Sequence, residues 1–203
     1  MHIAGNKNLQ NPLAKVYHYW YTFAMSYYEK IYEYAADNYG LISSAEARAL
    51  YIPNVELVKL SHRGRLVRIG HGVYRISHYI PTPLDRYAEA VALAGENTFI
   101  YGESVLAMHG LAFVNPTAIL VATTKRVRKT LPVYIKLIHT KDEYKIFNYE
   151  GIPTQNLVDA ILACKATVMT ARLLSAIDEA YSNGLITQDE ATLAKEKLHN
   201  ILG

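Results

Sequence analysis

The sequence predicts an α+β protein: an N-terminal winged helix-turn-helix, then a mixed α/β domain that ends in helices. Three observations carry this expectation. Between Gly40 and Ile76, two short helical patterns precede a basic β-hairpin pattern with a Gly-His-Gly turn. Pro81-Thr82-Pro83 then interrupts the chain. Beyond it, β-rich runs mix with short helical ones until about Thr154, after which the periodicity is helical. The expected domains are therefore 1–80 and 81–203.

Residues 1–10 are polar and rich in Gly and Asn, which suits a frayed end. Asn11-Pro12 is a good helix start, because Asn caps free N–H groups and Pro is tolerated in the first turn. From Leu13 to Ala36 there is no Gly or Pro, and Tyr17, Trp20, Tyr21, Ala24, Tyr28, Ile31, Tyr32 and Ala35 keep helical spacing. This predicts one long helix, or two with a break near Ser26. Met25 could serve as an alternative start, which would make residues 1–24 an extension of a self-sufficient domain. Tyr17, Tyr21, Tyr28 and Tyr32 line up on one face, for core packing or for a dimer contact.

Asn38-Tyr39-Gly40 stops that helix. Ser43 and Glu46 form a capping-box pattern that opens a short helix through Ala49 or Leu50. Ile52-Pro53-Asn54 makes a turn. A further helix follows from about Asn54 to His62, with Leu57 and Leu60 inward and Arg63-Gly64 at its end. Leu66–Ile69 and Val73–Ile76 flank Gly70-His71-Gly72 as a hairpin. In the second domain, helices are expected over 85–93 and 103–109, and strands over 98–101, 118–123, 133–138 and 144–149. Helices follow at 155–163, 168–183 and 188–201.

Composition narrows the function. With 51% apolar and 19% charged residues over 203 positions, the chain can bury a core and is too apolar for disorder. No apolar run is long enough to span a membrane, and no signal peptide is visible, so no membrane partner is expected. The lone cysteine, Cys164, cannot form an internal disulfide, which suits a reducing cytoplasm. Its apolar neighbours mark it as a small core residue and not a nucleophile. The eight histidines show no metal-ligand spacing, and phosphate loops and Ser/His/Asp patterns are absent. No catalytic residue, metal or cofactor is expected.

The net charge of +3 is unevenly spread: residues 1–78 carry nine Lys/Arg against five Asp/Glu, whereas 79–203 carry twelve against thirteen. Between Asn54 and Ile76, Lys59, Arg63, Arg65, Arg68 and Arg75 face a single acid, Glu56. A local basic surface on a near-neutral chain favours a docked polyanion.

In a helix-turn-helix the second helix enters the major groove and the first supports it. Here Asn54, Val55, Val58, Lys59 and His62 fall on the outer face of the entering helix. Asn54 suits an adenine edge, Val55 a thymine methyl, and Lys59 a phosphate or guanine. Arg63 and Arg65 at the helix exit suit phosphates, and Ser44 at the head of the supporting helix is a further DNA-binding candidate. The wing contributes Arg68, His71 and Arg75. Three alternatives stay open. Val55 and Val58 could be core, His62 could cap its own helix, and the whole module could bind a protein without touching DNA.

Two other constellations are weaker. Lys125, Arg126, Arg128 and Lys129 are the densest basic run. They form either a secondary surface for DNA or for the partner of the second domain, or a solvated hairpin loop. Asp142-Glu143-Tyr144-Lys145 contains the acid-x-Lys element of metal-dependent nucleases, but the nearest upstream acid is Glu103. A solvated strand end is the default reading. His109 closes an apolar helical run and reads as structural.

Several stretches resemble the AbiEi-type antitoxins. They are Gly40-Leu41-Ile42-Ser43 with Ala45-Glu46-Ala47, Leu57 and Leu60, Arg63-Gly64, Leu66, Arg68, Gly70 and Gly72-Val73-Tyr74-Arg75. Pro83–Tyr87, Ser104–Leu111, Pro153-Thr154 and Leu157-Val158-Asp159 extend the likeness, which covers about Tyr27 to Ala163. The resemblance implies the antitoxin of a bacterial abortive-infection operon, a phage-defence system, paired with a nucleotidyltransferase-like toxin. Its winged domain would bind repeated half-sites in double-stranded operator DNA and repress its own operon. Its C-terminal domain would carry the antitoxin activity, without a stable complex with the toxin being required. The chain departs from the family pattern at Asn54-Val55, where the recognition helix usually opens with a polar or basic pair.

Overall fold

The computed structural model describes residues 25–140 and 144–199. The chain divides into two compact units, one ending at Tyr79 and one beginning at Ile80. The expected leading helix up to residue 24, with Tyr17, Trp20, Tyr21 and Ala24, lies outside the described residues.

Among the described residues the first unit opens with α1 (Tyr27–Ala36), whose N-cap is Ser26. The Ser26 hydroxyl accepts from the Glu29 amide while the Glu29 carboxylate accepts from the Ser26 amide. Gly40, at φ +70°, turns the chain out of the helix into β1 (Leu41–Ser43). This strand is absent from the expectation. It is three residues long, and its partner lies some thirty positions away in β3, so no local pattern announces it. α2 (Ser44–Ala49) starts on the expected capping box, with Ser43 Oγ 3.2 Å from the Glu46 amide and the Glu46 carboxylate 2.6 Å from the Ser43 amide. α3 (Asn54–His62) follows the turn, and then β2 (Leu66–Gly70) and β3 (Val73–Ile76) form the wing.

These strands make an antiparallel sheet of order β1-β3-β2. The hairpin is tighter than the Gly-His-Gly pattern implied. Gly70 pairs with Val73, so His71-Gly72 is the tip, and the register shifts between Arg68 and Gly70 to leave Ile69 as a bulge. Ile31, Ile42, Ala47, Leu57, Leu66 and Tyr74 are among the buried residues of one core, in which α1, α2, α3 and the sheet share a single apolar interior. Both inward positions assigned to α3, Leu57 and Leu60, lie in it.

The second unit is built on a mixed five-stranded sheet of order β6-β5-β4-β8-β7. Its elements run α4 (Asp85–Ala94), β4 (Thr98–Ile100), α5 (Glu103–Met108), β5 (Ile119–Thr123), β6 (Ile135–His139), β7 (Ile146–Tyr149) and β8 (Ile152–Gln155). Three helices follow: α6 (Leu157–Ala163), α7 (Thr170–Ser182) and α8 (Gln188–His199). α4 packs across β4, β5 and β8, and α5 packs against α6, which the last two helices cover.

Two sequence expectations are corrected here. The helical run assigned from Gln155 begins only at Leu157, capped by the Asn156 side chain, because Ile152–Gln155 turns back at Glu150-Gly151 to pair with β7. Thr154 and Gln155 are buried polar residues there, and Gln155 Oε1 accepts from the Gly102 amide at 3.1 Å. The basic run Lys125–Lys129 is not a hairpin loop, since β5 and β6 are parallel neighbours. The chain between Thr123 and Ile135 must return the length of a strand before β6 can begin.

Candidate nucleic-acid interface

The outer face of α3 follows from its periodicity. With Leu57 and Leu60 buried, a turn of 100° per residue places Val55 and His62 opposite them, with Val58 and Lys59 beside. The structure agrees: Asn54, Val55, Val58, Lys59 and His62 are all exposed. Val55 is 54% and Val58 43% exposed, so neither belongs to the core. No side chain caps the start of α3, whose N-cap position is Pro53. His62 makes no capping hydrogen bond; the Arg63 amide closes the helix on the Lys59 and Ser61 carbonyls.

The cations of this surface differ in their commitments. Lys59 Nζ lies 2.8 Å from Glu56 Oε1, an ion pair three residues apart along the helix. Arg63 is exposed at the helix exit. Arg65 is exposed but its guanidinium sits 5.2 Å from the Tyr28 ring centroid, which ties the α3–β2 junction to α1. Arg68 is exposed on β2, an edge strand, and its Nε donates to the Gly70 carbonyl at 3.3 Å, across the bulge. His71 is exposed at the wing tip.

Two sequence-derived candidates sit elsewhere. Arg75 lies on the central strand β3, opposite Leu41 and Val67. It is half-buried, its Nε and Nη2 are sealed from solvent, and its guanidinium is 5.6 Å from the Tyr79 ring. It braces the sheet and is not an open contact. A hairpin pattern cannot reveal that a third strand covers one side of it. Ser44 is half-buried, with its amide donating to the Gly72 carbonyl at 2.7 Å. Its hydroxyl lies where a Cβ on Gly72 would come within 3.2 Å. Ser44 therefore anchors the wing to α2.

Three exposed residues on this unit escaped the sequence reading. Arg48 stands in the last turn of α2, and helical spacing from the buried Ala47 could have placed it outward. Tyr51, 91% exposed at φ +58°, occupies the turn before α3, and nothing in the sequence marks that left-handed backbone. Val67, on the outward side of β2, is 53% exposed. The interface is thus apolar at its centre and basic at its edge. Residues 29–77 match the AbiEi antitoxin family of transcriptional regulators. The AbiEi match bears out the resemblance read from the sequence over α1 to the wing, and stops short of the unit that begins at Ile80. No curated protein matches the chain.

In the second unit Lys125, Arg126, Arg128 and Lys129 are all exposed, and Lys129 lies against Gly95. Asp142 and Glu143 of the acid-x-Lys element lie outside the described residues. Among the described residues no group of three or more His, Cys, Asp or Glu could hold a metal ion. Cys164 is buried, and burial together with the charge of Glu103 pushes its thiol up to about 12. The His109 ring packs tilted against Tyr149, with centroids 4.1 Å apart, and burial lowers its pKa below the ordinary imidazole value. Both fit the structural roles expected of them. No helix among the described residues is long and apolar enough to cross a membrane.

Proposed function

We propose that this chain is an AbiEi-type autorepressor and antitoxin. Its first unit docks α3 in the major groove of operator DNA while Arg63, Arg65, Arg68 and Arg48 meet phosphates. The observation that carries this reading is the orientation of α3. Its leucines face the core and its whole opposite face is open, flanked by exposed arginines and contiguous with an edge-strand wing. The match over residues 29–77 to a family of transcriptional regulators supports it. From the unit beginning at Ile80 we infer the counteraction of the toxin, a nucleotidyltransferase-like enzyme by the resemblance given above. The exposed run Lys125–Lys129 is the candidate surface for it. From the same resemblance we infer a phage-defence operon and a cytoplasmic location.

The test is a gel shift with the duplex upstream of its own coding sequence, at two salt concentrations. Four phosphate contacts per winged unit predict that log affinity falls with log salt at a slope of about −3.6. A fourfold rise in salt then weakens binding by about 150-fold. A shift that is absent, or indifferent to salt, removes the repressor reading. It would leave the rival one, a protein-binding module for which Tyr51, Val55, Val58 and Val67 are the exposed anchors.

A further inference from the structure

The centre of the α3 face is apolar, and that constrains which base pairs it can read. We propose that the recognition helix selects A·T pairs by seating Val55 and Val58 against thymine C5-methyl groups, with Asn54 on the adenine beside them. The inference rests on the DNA-binding reading above and adds the chemical class of site it takes.

Guanine in the major groove is read by a side chain that donates to O6 and N7, most often arginine or a free lysine. α3 holds no arginine, and Lys59, its one lysine, is engaged with Glu56 at 2.8 Å. The positions most opposed to the buried leucines are Val55, in the first turn that enters the groove, and His62, in the last turn at its exit; Val58 lies one turn beyond Val55 on the same face. The two valines are 54% and 43% exposed. Of the groups displayed in the major groove, only the thymine methyl offers an apolar surface to cover them. Asn54, exposed in the first turn, has the paired donor and acceptor that match adenine N7 and N6. The surrounding arginines complement the phosphates on either side, so charge and apolar surface both fit one occupant, a duplex with A·T pairs at the groove centre.

The experiment compares two copies of the same upstream duplex, one made with thymine and one with uracil in its place. Base pairing is retained and only the methyl is lost. Each is titrated with the full-length wild-type chain and with the full-length Val55→Ala/Val58→Ala chain, whose folding is safe because alanine favours an exposed helical position. The wild type is expected to bind uracil DNA about fourfold more weakly per methyl contacted, and so about fifteenfold for two. The double variant is expected to bind both duplexes alike. Equal binding of the two duplexes by the wild type overturns the inference while leaving DNA binding intact. Discrimination that persists in the double variant overturns it too, because the methyl effect then acts through DNA shape. No binding to thymine DNA overturns the inference together with the reading beneath it.

Discussion

Gly40 and Gly64 share a backbone conformation and differ only in what surrounds them, which makes the pair a controlled test of how the winged unit is built. Both have φ +70°. Replacing either with alanine incurs the left-handed penalty, roughly 1–2 kcal/mol. At Gly64 nothing lies within 4 Å of the added Cβ, so that penalty is the whole effect. At Gly40 the Cβ would stand 2.6 Å from Cγ and Cδ2 of Tyr79. The Tyr79 ring cannot swing away without cost: it packs against the unit's core and carries the Arg75 guanidinium on its face. Gly40 is also pinned on both sides, its amide donating to the Ala35 carbonyl and its carbonyl accepting from the Ile76 amide. Relieving the overlap adds about 1–3 kcal/mol. Urea denaturation of the full chain, followed by a signal assigned to the winged unit, should rank wild type above Gly64→Ala and Gly64→Ala above Gly40→Ala. The gap between the two variants should be about 1–3 kcal/mol. Equal stabilities for the two variants would refute the reasoning, for they would show that Tyr79 does not fill the space beside Gly40.

Other predictions follow from the surface and from buried groups. Arg63→Ala with Arg68→Ala should reduce the salt slope of DNA binding by about 1.8 and leave folding unchanged, since both side chains are exposed. Toxin protection in cells should survive that double change, and its loss would count against a separate antitoxin unit. Cys164 should resist a thiol reagent at about pH 8 in the folded chain and react at once on unfolding, because the thiolate is the reactive form. The sign for stability is that the folded thiol, raised to about 12, holds its proton where the unfolded one loses it. Stability is therefore full below the ordinary thiol range and declines as pH rises through it toward about 12. His109 runs the other way. Its folded pKa is depressed, so stability is full above the ordinary imidazole pKa and declines as pH falls below it, and melting curves of His109→Gln should lack that acid dependence.

What the sequence could show was set by how local each signal is. Capping boxes act over three residues, and Ser43 with Glu46 is where the pattern placed it. The inward face of α3 follows from Leu57 and Leu60 alone, and Val55 and Val58 fall outward with no further information. Long-range pairing is a different matter. β1 is a strand only because β3 lies beside it, and that same pairing turns Arg75 from an expected wing contact into a sheet brace. The helix pattern starts at Gln155, the last residue of β8, because Thr154 and Gln155 are unremarkable until β4 and β7 flank them. The direction of β6 has no signature in its own residues, so the basic stretch before it was as easily a hairpin as a crossover. Tyr51 shows the limit for single residues, since a tyrosine with positive φ is fixed by the hydrogen bonds around the turn and not by its own preference.

The bond from the Ser44 amide to the Gly72 carbonyl has a consequence for how a duplex is met. Many β-ribbons are free to bend along a groove, but here one strand of the ribbon is shared with a third strand and its tip is fastened to the helix that supports α3. The separation between α3 and the wing is therefore set within the protein itself. On the DNA-binding reading proposed above, little would be lost to ordering the protein, and the burden of adjustment would fall on the nucleic acid. Sequences that bend or narrow easily to that fixed span would then gain affinity at positions no side chain touches. A rigid calliper selects by the stiffness of what it is asked to hold.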